Sequence, residues 1–267
     1  MPKEKENFKI SLHNKDGNEL LRELGKHLYK LKNTHILLVY DPYNASIDWE
    51  AILPFLNTWG EVIINHQVLD SIRSIGIVKN PNKIKKYEGT YQASIEELIP
   101  YGTDRKAYED RIEEIINLLH FNKKRKYYIA AYPFFNQKNS VVYNLIHCTS
   151  HIAGFTLYKQ TAWQTFGDCS SGKNTHGKEN QFVFGFDDDV SIKTVSDNDC
   201  YFVKDIAAYL YSIYHNRNDV SKDEMWKMLE QHPVFPTDGF KRKIEKALKD
   251  LYSISAHNGV FDFTDRR

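Results

Sequence analysis

The residues best placed to do chemistry are Asp41, Pro42 and Tyr43, which close the run Ile36-Leu37-Leu38-Val39-Tyr40. A short continuous apolar run of this kind suits a strand buried on both faces of a parallel sheet. Asp41 then falls at the carboxyl end of that strand, where open α/β sheets place ligand chemistry. The plainer role for Asp41 is structural, capping the turn that follows it. Three other constellations are weaker. Residues 167–174, Gly-Asp-Cys-Ser-Ser-Gly-Lys-Asn, nearly match a phosphate-binding loop. They lack the final Ser or Thr that reaches Mg²⁺, and a helix rather than a strand should precede them, so a surface loop is expected. His147, Cys148 and His151 have zinc-ligand chemistry but no visible fourth partner, so strand-end packing is expected and no metal site is assigned. Asp187, Asp188 and Asp189 read as a solvated turn.

The elements that position Asp41 follow from periodicity. Residues 8–13 alternate apolar and polar, which predicts a strand. Asn18 can cap a helix in which Leu20, Leu21, Leu24, Leu28 and Leu31 recur at helical spacing. After the strand ending at Asp41, residues 47–56 predict a helix that Pro54 bends or ends. Residues 61–65 predict a second short buried strand. This β-α-β-α-β order argues for parallel strands with right-handed crossovers. Residues 79–103 are polar and carry breakers at Pro81, Gly89, Pro100 and Gly102. A helix over residues 104–119 follows, with Ile112, Ile115, Ile116 and Leu119 on one face. Residues 126–135 and 140–148 predict a hairpin around the polar turn 136–139, and residues 151–166 a further helix.

The Asp-Pro-aromatic turn resembles the Asp-Pro-Pro-aromatic turn of S-adenosylmethionine-dependent amino-methyltransferases. There the Asp and a backbone carbonyl accept hydrogen bonds from the target amine while the ring stacks on the base. A methyltransferase sheet of the Rossmann-like class also ends in an antiparallel hairpin. More broadly, the chain resembles the three-Cys-motif partner (TcmP) family, bacterial and archaeal proteins encoded beside a radical-S-adenosylmethionine protein that owns the three cysteines. The likeness rests on residues 15–21, on Asp41-Pro42-Tyr43 with Trp49 behind it, and on Val62-Ile63-Ile64-Asn65 followed by Arg73. It continues through residues 142–147, with Gly154 behind them, to Trp163. It implies that Asp41 orients a target amine, that Tyr43 stacks on a base, and that Asp16 and Asn18 belong to the cofactor side. Two departures qualify it. Asn44 stands where the family more often has Gly. The family's glycine-rich cofactor loop, of Phe-Ala-Gly-x-Gly type, would lie ahead of residue 8. S-adenosylmethionine is therefore expected only if another polypeptide supplies that loop. The strand at 8–13 must either pair directly with the one at 36–40 or leave a gap that a partner fills.

Length and composition set the frame. The chain has 267 residues, is 41% hydrophobic and carries a net charge of +1. That length suggests two domains, and the charge as a whole makes no case for nucleic acid. The local clusters at residues 79–86 and 123–126 read as solvated faces. Cys148, Cys169 and Cys200 are odd in number and form no disulfide framework. With no signal peptide and no membrane-length apolar run, a soluble cytoplasmic protein is expected.

The last segment reads as a module of its own. Residues 202–214 predict a helix. Ser221 opens a second by a capping box with Glu224. Residues 238–252 predict a third, with Phe240, Ile244, Ala247, Leu248 and Leu251 on one face. A hairpin turning at Asn258-Gly259 follows. Three helices and a two-stranded wing form a winged-helix pattern whose third helix turns Arg242, Glu245, Lys246 and Lys249 outward. That face fits a DNA major groove or a docking protein equally. The expected architecture is thus an α/β methyltransferase-like domain (residues 1–166), a polar linker (167–195) and a winged helix (196–267). The expected function is that of a methyltransferase-like subunit acting with a protein partner and possible nucleic acid. A catalytically inactive adaptor is the alternative.

Overall fold

β1 (Ile36–Tyr40) forms where the apolar run requires it, and it pairs in parallel with β2 (Gly60–His66). The computed structural model describes residues 9–30, 34–57, 60–119, 127–135, 141–172 and 200–264. The expected hairpin supplies β3 (Tyr128–Phe135) and β4 (Val141–Thr149), and β4 inserts beside β2 in antiparallel sense. The mixed sheet therefore runs β1-β2-β4-β3. Its parallel half follows a βαβ crossover through α2 (Trp49–Leu56), which contains Pro54 without ending at it.

The expected strand at residues 8–13 is not formed over its described part. Residues 9–15 have no regular structure, and Ile10 and Leu12 are exposed. Alternation marks a strand only where a sheet edge receives it, and among the described residues β1 pairs with β2 alone. α1 (Gly17–Gly25) begins one residue before Asn18, and Asp16 rather than Asn18 caps it, accepting from Glu19 N at 3.0 Å.

The polar, breaker-bearing stretch at residues 79–103 is largely helical. α3 (Val68–Ser74) is followed by α4 (Pro81–Tyr91) and the short α5 (Ile95–Leu98). Pro81 and Asn80, which look like breakers in sequence, are the first residue and the cap of α4. Proline is favoured there because its missing N–H has no partner to lose. α6 (Arg105–Leu119) buries Ile112, Ile115 and Ile116 as its spacing demands.

One face of the sheet, through Val62, Ile64, Ile129, Ile146 and Cys148, packs on α2, α3, α4 and α6. The opposite face is covered by α7 (Ile152–Thr165), chiefly over β3 and β4, with Gly154 also meeting Glu61 of β2. On β1 that face leaves Leu37 and Val39 each 62% exposed.

Beyond α7 come α8 (Val203–Tyr214), β5 (Val220–Ser221), α9 (Lys222–Glu230), α10 (Lys241–Tyr252), β6 (Ala256–His257) and β7 (Val260–Phe261). Ser221 caps α9 by accepting from Glu224 N at 3.1 Å. Asn258 and Gly259 both take positive φ, 51° and 80°, as a two-residue hairpin turn requires. The small sheet has a third strand, β5, in the order β5-β7-β6. Its core is continuous with the first part of the chain. Ala130, Tyr132, Phe155, Trp163 and Phe166 share one apolar cluster with Ile206, Leu210, Trp226, Phe240 and Ile244. Buried Lys159 donates to Glu230 O at 2.8 Å and His232 O at 2.7 Å. Trp163 Nε1 and Tyr132 OH both donate to Val234 O.

Residues 1–7, the cluster at 123–126, the hairpin turn at 136–139 and Asp187–Asp189 lie outside the described residues. None of the described helices is long and apolar enough to cross a membrane.

Candidate functional site

Asp41 and Asn65 end the two parallel strands, and Asn65 Nδ2 donates to Asp41 Oδ1 at 2.7 Å. β1 and β2 run in register from Ile36↔Gly60 to Tyr40↔Ile64, so the residues just past each strand must meet. Asp41 is exposed, and Tyr43 projects fully into solvent at 103% relative exposure. The Asp41 carboxylate is thus open to a ligand on one side and steadied by an amide on the other. Tyr143, on β4 beyond the end of β2, faces the same place. Its hydroxyl pKa is raised, first by burial and then by the charge of Asp41. Tyr143 stacks on Phe134 with centroids 4.9 Å apart, so Asp41 has a carboxylate's chemistry beside an aromatic wall.

The loop that carries Tyr43 is held from behind. Asn44 Oδ1 accepts from Ser46 N at 2.8 Å, a local turn that suits Asn. Ile47 N donates to Thr90 Oγ1 at 2.9 Å, and Trp49 Nε1 to Thr90 O at 2.8 Å. α4 therefore backs the loop 41–48. Asp70 on α3 accepts from Ala45 N and from Tyr87 OH. α3, and α4 within the polar, breaker-bearing stretch 79–103, are thus what position the candidate site.

Asp16 and Asn18 stand on the other side of β1's carboxyl end. Asn18 Oδ1 accepts from Tyr40 OH at 3.1 Å, and that hydroxyl accepts from Asp48 N at 3.1 Å. Asp48 caps α2 and pairs with Arg22 of α1. Tyr40 thus ties α1, β1 and α2 together. Asp16 is occupied as the cap of α1 and does not end a strand. The structure brings Asp16 and Asn18 to β1's carboxyl end, but their hydrogen bonds there are to the protein itself.

Sequence reasoning missed Asn65, Tyr40 and Tyr143 as members of this group. The signal for Asn65 was present: a polar residue closing an apolar run, as Asp41 does. Tyr40 and Tyr143 gave none, because their roles come from contacts across the fold.

Arg242, Lys246 and Lys249 are all exposed on α10. Ile244 and Leu248 are buried, which fixes the outward direction of these cations. Glu245 on the same helix is engaged by Lys222 Nζ at 2.9 Å, and Lys243 by Asp168 at 2.5 Å. The group is therefore a basic surface in which Glu245 has a partner of its own, while Asp250 is exposed beside Lys246 and Lys249.

His147 Nε2 meets Glu61 Oε2 at 2.8 Å and stacks on Tyr158, and its pKa is lowered, chiefly by burial. Gly154 makes room for Glu61: a Cβ there would lie 2.3 Å from Glu61 Oε1. Cys148 is fully buried in the other face's core, and His151 caps α7 by accepting from Ala153 N. These three point different ways. Among the described residues, no group of three or more His, Cys, Asp or Glu could hold a metal ion. The described part of the loop resembling a phosphate cradle follows α7 and pairs Cys169 with Phe202. A cavity of about 290 Å³ lies elsewhere, between α6, β3 and the C-terminal module, lined in part by Arg105, Glu109, Pro133, Ser170, Tyr201 and Val234. Compared with protein-family models, curated proteins and solved structures, the chain matches none.

Proposed function

We propose that this chain is a methyltransferase-like subunit of a nucleic-acid-associated complex, in which another polypeptide completes the sheet beside β1. The observation that carries this reading is the pairing of Asp41 with Asn65 at the carboxyl ends of the parallel strands, in a sheet that closes with an antiparallel hairpin. Ligands of open α/β sheets bind at such strand ends. An amine held against Asp41 would donate to its carboxylate, Tyr43 and Tyr143 would supply aromatic surface to a base, and catalysis would act by positioning. A flipped base is the natural substrate for such a site. β1 ends the described sheet order, which supports a neighbouring strand supplied from elsewhere. Its uncovered face, with Leu37 and Val39 exposed, supports a covering layer, since strands of parallel sheets are ordinarily covered on both faces. The order of α8, α9 and α10 with the sheet β5-β7-β6 supports a winged-helix reading of the C-terminal module. The partner kind that the TcmP resemblance suggests is a radical-S-adenosylmethionine protein.

The second reading is a catalytically inactive adaptor. It is favoured by Asp16 and Asn18 being committed to α1 and Tyr40, and by the basic face of α10. Photocrosslinking of radiolabelled S-adenosylmethionine distinguishes the two. The isolated chain should not be labelled, the complex purified with it should be, and Asp41→Ala should abolish methyl transfer by that complex. An intact complex that takes no label and transfers no methyl group leaves the adaptor.

A further inference from the structure

Cys169 and Cys200 are brought together by the structure although residues 170–199 lie between them in the chain. Cys169 pairs with Phe202 in an isolated antiparallel bridge. Ser170 N donates to Tyr201 O at 2.9 Å, and Tyr201 N donates back to Ser170 Oγ at 2.7 Å. Both sulfurs converge on one carbonyl. Cys169 Sγ lies 3.2 Å from Ser171 O and 3.1 Å from Phe166 O, and Cys200 Sγ lies 3.9 Å from Ser171 O. Cys200 stands two residues before Phe202, the bridge partner of Cys169, a diagonal placement of about 7–8 Å that a small backbone shift must close to reach disulfide spacing. Both are reduced thiols in this structure.

We propose that Cys169 and Cys200 form a thiol–disulfide exchange site, whose substrates are small disulfides of the glutathione class and whose product is an intramolecular disulfide. The two cysteines differ in the way the exchange needs. Cys169 is buried and Cys200 is half-exposed, so Cys200 meets the oxidant first. The hydrogen bond from Cys169 is the largest cause that lowers the Cys200 thiol, to about 6, ahead of the donors around Ser170 and Ser171. A thiolate at neutral pH is the attacking species in such exchange. The third cysteine is set apart: Cys148 is fully buried, and burial raises its thiol far above the ordinary range.

The chemistry balances in two steps. The Cys200 thiolate attacks one sulfur of oxidised glutathione. A Cys200–glutathione bond forms, the original S–S bond breaks, and one glutathione leaves as a thiolate that takes a proton from solvent. Cys169 then loses its proton to solvent and attacks the Cys200 sulfur. The protein disulfide forms, and the second glutathione leaves and is protonated in turn. Two protein thiols are oxidised by two electrons, and one glutathione disulfide is reduced to two thiols. The bond would pin Ser170 and Tyr201, which line the cavity beside Arg105 and Glu109, into one covalent frame.

The test uses the full chain equilibrated in a series of oxidised and reduced glutathione, quenched in acid, alkylated and mapped without reduction. The expected product is a peptide pair joining Cys169 to Cys200, lighter by two hydrogens. Alkylation at both should fall by about tenfold or more over the series, returning on addition of a dithiol. Cys148→Ser should behave as wild type, and Cys169→Ser should stop at the mixed disulfide on Cys200. The proposal is overturned if wild type accumulates the mixed disulfide on Cys200, cross-links between chains, or keeps both thiols alkylatable at the oxidising end. The wild-type map decides the matter even if a variant does not fold.

Discussion

Asn65 holds Asp41 across the ends of two parallel strands, amide to carboxylate at 2.7 Å. The contact fixes the carboxylate's direction without burying it, and it separates the two roles open to Asp41. A turn cap would direct its oxygens at backbone N–H groups of the following loop. Among the described residues, it is Asn44 that does so, towards Ser46.

Asp41→Ala should lower unfolding stability by less than about 1.5 kcal/mol, since one hydrogen bond to an exposed carboxylate is lost. Asn65→Leu should cost a similar amount, while loosening the carboxylate. If the proposed methyl transfer operates, the first change abolishes it and the second reduces it with Asp41 intact. Urea melts of both variants, beside transfer assays on the complex, check this. Full transfer by Asp41→Ala would reduce Asp41 to a turn residue.

Stability should fall with acid well before carboxylates titrate. Burial lowers His66 to about 3, and burial followed by the charge of Lys159 lowers His232 to about 4, from an ordinary 6.5. The unfolded chain therefore binds more protons than the folded one in that interval. The contribution is complete above pH 6.5 and is lost as pH falls toward 4. Lys159, lowered to about 7 by burial from 10.5, extends the same sign upward, so stability should also rise between pH 7 and 10.5. Denaturant melts across pH check both limbs, and Lys159→Met should flatten the upper one.

The C-terminal module should depend on α7. A fragment beginning at Ile152 should melt cooperatively at a higher temperature than one beginning near residue 196. The shorter fragment leaves Trp226, Phe240 and Ile244 without Phe155 and Trp163. Lys159→Met in the full chain should cost about 1–3 kcal/mol, because the carbonyls of Glu230 and His232 lose their buried donor. Equal melting temperatures for the two fragments would show that the shared cluster contributes nothing to the module.

If α10 reads DNA, replacing Arg242, Lys246 and Lys249 with alanine should weaken duplex binding and flatten its salt dependence by about three units of slope. Glu245 opposes phosphate less than its sequence position suggests, because Lys222 engages it. Binding measured across a salt series checks this. Unchanged affinity and slope, with a weakened protein complex, would assign the face to docking.

Much of the frame was legible in the sequence, and the reasons are local. β1 announced itself as an unbroken apolar run, α6 by isoleucines at helical spacing, and α9 by Ser221 with Glu224 three residues on. α4 was hidden because Pro81 and Asn80 serve both to stop helices and to start them. The alternation at residues 8–13 misled because a period of two says which face is apolar and nothing about whether a neighbour exists. The continuity of the two halves was invisible for another reason. Tyr132 reaches Val234 over 102 residues, and no window along the chain spans such a contact. At the candidate site the same holds for Tyr40, whose hydroxyl matters only once Asn18 and Asp48 have folded against it.

The cluster shared by α7 and the C-terminal helices bears on how the chain is made. Synthesis proceeds from the amino terminus, and domains fold as their segments emerge. β3, β4 and α7 leave the ribosome before the residues that cover their outer side. Phe155, Trp163 and Tyr132 must therefore wait, wet and adhesive, until residues 200–264 arrive. During that interval the nascent chain shows two bare apolar surfaces, this one and the face of β1 at Leu37 and Val39. Among the described residues, 200–264 close the first and leave the second exposed, so translation gives the two surfaces different fates.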